Sequence, residues 1–353
     1  MQRKASDFSQ KSLILGIETS CDETAVAVVE DGGKIRSNLI SSQINIHARY
    51  GGVVPEIASR KHLEIINQLI DSALEEAGTS FQQIDALAVS YGPGLVGALL
   101  IGVNTAKTLA YLLRKPLIAV NHLQGHLCAN YLYSEPDSPP KIKYPVLGLI
   151  VSGGHTALVW MSAPHSFQIL GQTRDDAAGE AFDKIARALK LGYPGGPVID
   201  KLAAKGNPNA VSLPRAILSE KDSRFEFSFS GLKSAVLNYL IKKDKEGIIP
   251  DPQDVAASFQ SAVVDNLVGK TINAVLEKEP PTLFLSGGVA ANSALKTRFK
   301  ERLSKVAPGV EFFCPPPYLC TDNAAMIAAS AHYSYIRGEK APLDLNAVSN
   351  LAI

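Results

Sequence analysis

The chain has 353 residues, 46% of them apolar and 20% charged, with 35 Lys and Arg against 34 Asp and Glu. At about 100–200 residues per domain this is material for about two cores, which excludes a disordered chain. A net charge of +1 excludes the global basic field that drives indiscriminate polyanion or membrane binding, so any nucleic-acid contact must be local.

Residues 1–12 carry Arg3, Lys4 and Lys11 but no apolar core before the first strand-like run, so no secretory signal is expected and a cytoplasmic location is. The cysteines, Cys21, Cys128, Cys314 and Cys320, form no CxxC pair. They are expected to be small buried hydrophobes in a reducing compartment rather than a disulfide scaffold. The longest apolar stretch, around Leu95 to Val103, is Gly-interrupted. It falls far below the ~20 residues of a bilayer span, so no membrane association is expected.

Taken in chain order, the first predicted element is a hairpin over 16–28, and it has a twin. Residues 16–28 and 148–160 align without a gap, each an apolar strand, a tight polar turn, a Thr-Ala pair and a second strand. Asp22 and Glu23 sit at the first turn, where acids commonly stabilise turns and equally serve as proton acceptors. A second echo joins 86–94 to 282–289: a short strand, a Ser/Gly turn, then a helical pattern over 98–111 or 291–303. Strand, glycine loop and helix form the arrangement that cradles phosphates on backbone N–H groups.

His122 and His126 follow an apolar strand over 116–120. On a helix, i and i+4 lie one above the other, so both imidazoles can grip one metal, although two ligands alone are equally two polar helix residues. Asp322, with Thr321 before it as the predicted N-cap of an Ala-rich helix, offers a carboxylate. Two His and one Asp make an open nitrogen and oxygen site fit for iron(II) or zinc. Zinc proteolysis of the HExxH kind is not expected, because the residue after the first His is Leu123 rather than the Glu that serves as its base.

Proline clusters at 136–140 and 315–317 predict crossings between two lobes, 12–138 plus 319–353 and 142–316, facing each other across a central cleft. In the second lobe Asp183 and Asp200 flank the Gly195-Gly196-Pro197 turn and suit ribose hydroxyls or an amine. Asn292, after Gly287-Gly288, reads either as a ligand contact or as a helix cap. Lys184, Arg187 and Lys190 at helical spacing, and the cluster Arg298, Lys300, Arg302 and Lys305, are candidate phosphate contacts or plain solvated faces.

Read together, these blocks resemble the tRNA N6-adenosine threonylcarbamoyltransferases, formerly labelled O-sialoglycoprotein endopeptidases. The resemblance is carried by GIETSCDET (16–24), YGGVVPEIASRKH (50–62), SYGPGLVGALLIG (90–102), NHLQGHL (121–127) and VSGGHT (151–156). It continues in GEAFDK (179–184), YPGGP (193–197), FSFSGLK (227–233), SGGVAAN (286–292) and CTDNAAMIA (320–328). It implies an α/β duplicated actin-like fold of the Hsp70 and sugar-kinase (ASKHA) type. It also implies transfer of a threonylcarbamoyl group from threonylcarbamoyl-AMP to the N6 amine of the adenosine beside the anticodon, in tRNAs reading codons that begin with adenine.

By the same resemblance the metal ligands are His122, His126 and Asp322, holding one divalent ion, iron(II) rather than zinc. The adenylate positions are Ile150, Val151, Ser152, Gly153, Gly154, Asp183, Gly196, Asp200 and Asn292. In the mechanism expected from these parts, Asp22 or Glu23 would orient the amine or accept its proton. Archaeal and eukaryotic relatives carry a ligating Tyr where this chain has Ile150, so two His and one Asp, completed by substrate or water, is the expected set. The implied partners are tRNA, a scaffold paralogue of the same fold and a small P-loop ATPase. Two alternatives are a small-molecule kinase of the same fold, which would hold magnesium on carboxylates without the paired histidines, and a non-catalytic scaffold paralogue, which by resemblance lacks them.

Overall fold

The computed structural model describes residues 12–215 and 224–353; Arg3, Lys4 and Lys11, on which the signal expectation rests, lie outside them. The chain forms two compact units, one of Met1–Ile46, Val53–Ile142 and Thr321–Ile353, the other of His47–Gly52 and Lys143–Cys320.

The first unit opens with β1 (Leu13–Glu18), β2 (Glu23–Glu30) and β3 (Lys34–Ser42), followed by α1 (Pro55–Glu76), β4 (Ala86–Gly92), α2 (Val96–Leu113), β5 (Leu117–Asn121) and α3 (His122–Cys128). The sheet order is β3-β2-β1-β4-β5, antiparallel between β1 and β2 and parallel from β1 through β4 to β5. β1 and β2 are buried almost throughout, as strands covered on both faces must be. Side chains alternate across the strand. Leu15 and Ile17 accordingly join a core with Ile66 and Ile70 of α1 and Val103 of α2, while Gly16 faces the helix that ends the unit.

The second unit carries β6 (Val146–Val151), β7 (Thr156–Met161), β8 (Gln168–Gln172), α4 (Ala178–Ala188), α5 (Gly195–Ala203), α6 (Ser230–Lys245), α7 (Pro252–Lys278), β9 (Thr282–Ser286), α8 (Ser293–Val306) and β10 (Glu311–Phe313). Its sheet runs β10-β9-β6-β7-β8, with β6 antiparallel to β7 and parallel to β9. Read from the other edge, this repeats the first sheet strand for strand, so the duplication written in the sequence is a duplication of topology. α9 (Ala324–Ile336) then returns to the first unit and packs on β1, β2 and α3.

Two expectations are corrected. α2 is an 18-residue helix of mean hydropathy 1.5, long and apolar enough by composition to cross a membrane, because glycines that interrupt an apolar run leave the helix intact. Ala98, Leu99, Gly102, Val103, Ala106 and Ala110 form its buried face against the sheet and α1. Of the cysteines, Cys128 and Cys320 are buried as expected, but Cys21 and Cys314 are half-buried.

Candidate metal centre and active site

β5 delivers the chain directly into α3, whose first turn is capped by Asn121: its Oδ1 accepts from Leu123 N at 2.9 Å and Gln124 N at 3.4 Å. His122 and His126 are buried, with ring centroids 4.7 Å apart and planes at 79°. Gly125 between them lets α9 come close, since a Cβ there would lie 2.9 Å from Ile327 Cδ1 and 3.3 Å from Met326 Cγ. Asn323, not Thr321, is the N-cap of α9, accepting from Met326 N at 3.1 Å. Both residue types can cap, and the register is set by packing of the alanines on β1, where a Cβ on Gly16 would meet the Ala324 carbonyl oxygen at 2.5 Å. Asp322 therefore precedes the helix instead of serving its first turn, and its carboxylate turns to the histidines.

Asp322 Oδ1 lies 3.3 Å from His126 Nε2 and 3.6 Å from His122 Nε2. One ligand atom from each of the three residues falls within 4.8 Å of the others, the dimension of a metal site. Both ring nitrogens of His126 are buried without a hydrogen-bond partner, so the Asp322 contact lacks hydrogen-bond alignment. A buried imidazole left so is costly unless a lone pair serves a cation, and on that ground the residues fit a divalent ion.

On the far side of His122, Nδ1 contacts Glu18 Oε2 at 2.9 Å and Ser20 Oγ at 3.2 Å, and Glu18 Oε1 accepts from Ser20 N at 2.5 Å. This is the carboxylate–histidine pairing that fixes a ligating ring and leaves its other nitrogen free to ligate. Burial opposes charge on His122, but the Glu18 carboxylate, with Asp322 adding, outweighs it and pushes the ring up to about 9. Burial lowers His126. The centre thus favours one positive charge between the rings.

Asp22 is buried, and Glu23 opens β2 while accepting from Ser42 Oγ at 3.0 Å. Burial, then Asp322 and Asp22, push Glu23 up to about 9. The turn that carries these acids is held by His62 of α1, whose Nδ1 lies 2.7 Å from Thr24 Oγ1 and Nε2 3.0 Å from the Cys21 carbonyl oxygen. Glu18, Ser20, His62 and Asn121 were not among the sequence candidates. Glu18 was the findable one, a carboxylate ending an otherwise apolar strand.

The remaining candidates lie in the second unit. Ile150 and Val151 are fully buried strand residues whose backbones pair with Ala157 and Thr156 of β7. Ser152 N donates to the His155 carbonyl in the turn, and Gly153 and Gly154 have open space where a Cβ would be. Asp183 Oδ1 accepts from Gly195 N at 2.7 Å, pinning the start of α5, where Gly196 also has open space. Asp200 accepts from Ser293 N and Oγ, both at 3.1 Å. Asn292 is the N-cap of α8, and its Nδ2 donates to Gln260 Oε1 at 2.8 Å, so the capping reading of that residue holds.

Three of the seven basic candidates, Lys184, Arg187 and Arg298, are engaged. Lys184 pairs with Asp176 and Glu180, Arg187 donates to the Gly51 carbonyl, Lys190 lies beyond the end of α4, and Arg298 approaches Asp265 at 3.3 Å. A cavity of about 660 Å3, between 110–117 and 340–343 of the first unit, contains none of the candidate residues.

Two sheets of one duplicated topology, with two buried histidines and a half-buried Asp at the strand ends of one of them, define a metal-competent enzyme of the actin-like fold. Two solved structures share that fold at 15% identity, a level that speaks for the fold alone. HypF from T. kodakarensis matches with a TM-score of 0.60, over 93% of this chain and 48% of its own, and full-length HypF in a phosphate- and nucleotide-bound form with 0.56, over 92% and 46%. The family model for tRNA N6-adenosine threonylcarbamoyltransferase, TsaD, matches residues 34–329. Relatives of that name include one from Clostridium botulinum (strain 657 / Type Ba4), 52% identical over 96% of this chain and 97% of its own. Another, from Clostridium novyi (strain NT), is 53% identical over 98% and 99%. The chain belongs to the tRNA N6-adenosine threonylcarbamoyltransferase family, whose members are transferases that modify tRNA.

Proposed function

We propose that this chain transfers the threonylcarbamoyl group of threonylcarbamoyl-AMP to the N6 amine of the adenosine beside the anticodon, in tRNAs reading codons that begin with adenine, and releases AMP. The observation that carries the reading is the buried pair His122 and His126 facing Asp322, in a chain of this family. A carboxylate-only magnesium site, as a small-molecule kinase would use, does not call for two imidazoles.

His122, His126 and Asp322 hold one divalent ion, iron(II) rather than zinc. When bound, that ion supplies Lewis-acid polarisation of an oxygen of the carbamoyl or phosphate group. Glu18 keeps His122 in the tautomer whose Nε2 can ligate. Asp22 or Glu23 orients the attacking amine, and whichever of the two is ionised takes the proton it loses as the new carbon–nitrogen bond forms and the bond to AMP breaks. In the second unit the backbone of Ile150 to Gly154 and Gly196, with Asp183, Asp200 and Asn292 bracing the surrounding turns, is assigned to the adenylate. We place the reaction in the cytoplasm, with a scaffold paralogue of the same fold and a small P-loop ATPase as partners.

The test generates the adenylate in situ, adds unmodified tRNA and measures threonylcarbamoyladenosine by nucleoside mass spectrometry. His126→Ala and Glu23→Ala are each expected to lose about 100-fold or more in rate. Unchanged modification by both would sink the assignment. Metal analysis of anaerobically purified protein tests the ion, and zinc in stoichiometric amount would overturn iron(II).

A further inference from the structure

The segment that follows α9 crosses the strand ends of the first unit and reaches the residue that starts the metal-bearing helix. Ala341 N donates to the Leu117 carbonyl at 2.7 Å and Lys107 Nζ to the Leu345 carbonyl at 3.0 Å. Val348 N then donates to the Tyr91 carbonyl at 2.8 Å, and Gly94 N to the Ser349 carbonyl at 3.1 Å. Gly92 is pressed so closely on the Val348 carbonyl that no Cβ would fit. The contact furthest along the segment is a side-chain one: Asn121 Nδ2 donates to the Ala352 carbonyl at 2.8 Å.

Asn121 is buried, and its carboxamide faces two ways. Its oxygen receives the first free N–H groups of α3, and its nitrogen is satisfied by Ala352. Only this orientation of the amide serves both sides, since α3 offers donors and the segment offers an acceptor. His122 is the next residue, so the rotamer of Asn121 sets where α3 begins and hence where both imidazoles stand. A second arm reaches the same ring: the loop held by Val348 and Ser349 continues to Leu95, whose N–H donates to the Ser20 carbonyl at 2.8 Å, and Ser20 Oγ touches His122 Nδ1.

We propose that residues 348–353 are a positioning strap for the metal centre, acting through Asn121 on α3 and through the Gly92–Leu95 loop on Ser20. The proposal rests on the reading of His122, His126 and Asp322 as metal ligands. Outer partners that orient ligands are worth about 10–100-fold in metal affinity. The strap is exposed at 348–350 and 352, half-exposed at 351 and 353, and held by few hydrogen bonds, which makes it a part of the centre that a bound macromolecule could lift without touching a ligand.

Cobalt(II) is the probe, titrated into the full chain, into Asn121→Asp, into a chain ending after Asn350, and into His126→Ala. Asn121→Asp retains the helix cap but sets a carboxylate oxygen against the Ala352 carbonyl; the shortened chain removes the acceptor and leaves Asn121 intact. The full chain is expected to bind one cobalt(II) with visible d–d bands that His126→Ala abolishes. Both strap variants are expected to bind about tenfold or more weakly with altered bands, while their metal-free melting temperatures stay within about 2 °C of the full chain. Binding within twofold of the full chain with unchanged bands in both variants overturns the strap and leaves the metal reading standing. Absence of cobalt binding by the full chain overturns both.

Discussion

Glu18 Oε2 lies 2.9 Å from His122 Nδ1 with both side chains buried, one at the end of β1 and the other at the start of α3. The pair makes His122 more basic and fixes its ring, and both effects strengthen Nε2 as a ligand. Glu18→Gln preserves shape but removes the charge, and metal affinity is expected to fall by about tenfold. Competition with a chelator of known affinity measures it, and an unchanged affinity would show that Glu18 serves only the Ser20 turn.

Gly125 sets the distance between α3 and α9. A methyl group there meets Ile327 Cδ1 at 2.9 Å and Met326 Cγ at 3.3 Å, flexible side chains that can yield in part, whereas a valine cannot be absorbed. Gly125→Ala is expected to cost about 1 kcal/mol and Gly125→Val about 2–3 kcal/mol by overpacking. Because α9 carries Asp322 at its entrance, metal affinity is expected to fall in the same order. Denaturant unfolding and metal titration on the same two variants check both, and a Gly125→Val protein as stable as wild type would refute the packing role.

Much of the fold was legible because its signals are local. Apolar runs such as Leu13–Ile17 and Ala25–Val29 read as strands, and the unbroken match of the hairpin blocks at 16–28 and 148–160 reads as duplication. The paired histidines were legible because helical spacing alone aligns them. The cap of α9 was not, because Thr321 and Asn323 are both competent caps and only the contact of Gly16 with Ala324 sets the register. Glu18 was missed because an acid closing a strand usually meets water, and its burial depends on Ser20 and His122, the latter 104 residues away. The bond between Asn121 and Ala352 spans 231 residues, and no periodicity reports a contact at that separation.

His332 of α9 is buried, with Nδ1 2.8 Å from Ser12 Oγ. Burial lowers its pKa, and Asp31 opposes that only in part. With the folded value below the unfolded one near 6.5, the unfolded chain takes up the proton first. The neutral ring's contribution is therefore fully present above about pH 6.5 and is lost as pH falls below it. Thermal unfolding of wild type and His332→Gln between pH 8 and pH 5 isolates the effect, since all other titrations are shared. Wild type is expected to lose stability more steeply than the variant below pH 6.5 or so, and parallel curves would count against the assignment.

The glycines of the second unit divide into two kinds, and the division tests the adenylate assignment. Gly287 has φ +91 and sits hard against the Val151 carbonyl, so Gly287→Ala meets both backbone strain and a clash with atoms that cannot move aside. A loss of about 2–4 kcal/mol is expected. Gly153, Gly154 and Gly196 have nothing within 4 Å of a Cβ position, and none has a backbone that demands glycine. Alanine at each is expected to leave stability within about 1 kcal/mol of wild type. If the glycines make room for the adenylate against the backbone, the same alanines raise its KM by about tenfold or more, through lost close approach to N–H donors. Full activity with full stability in all three variants would remove these turns from the adenylate site and leave the crowded glycine, Gly287, as a purely structural one.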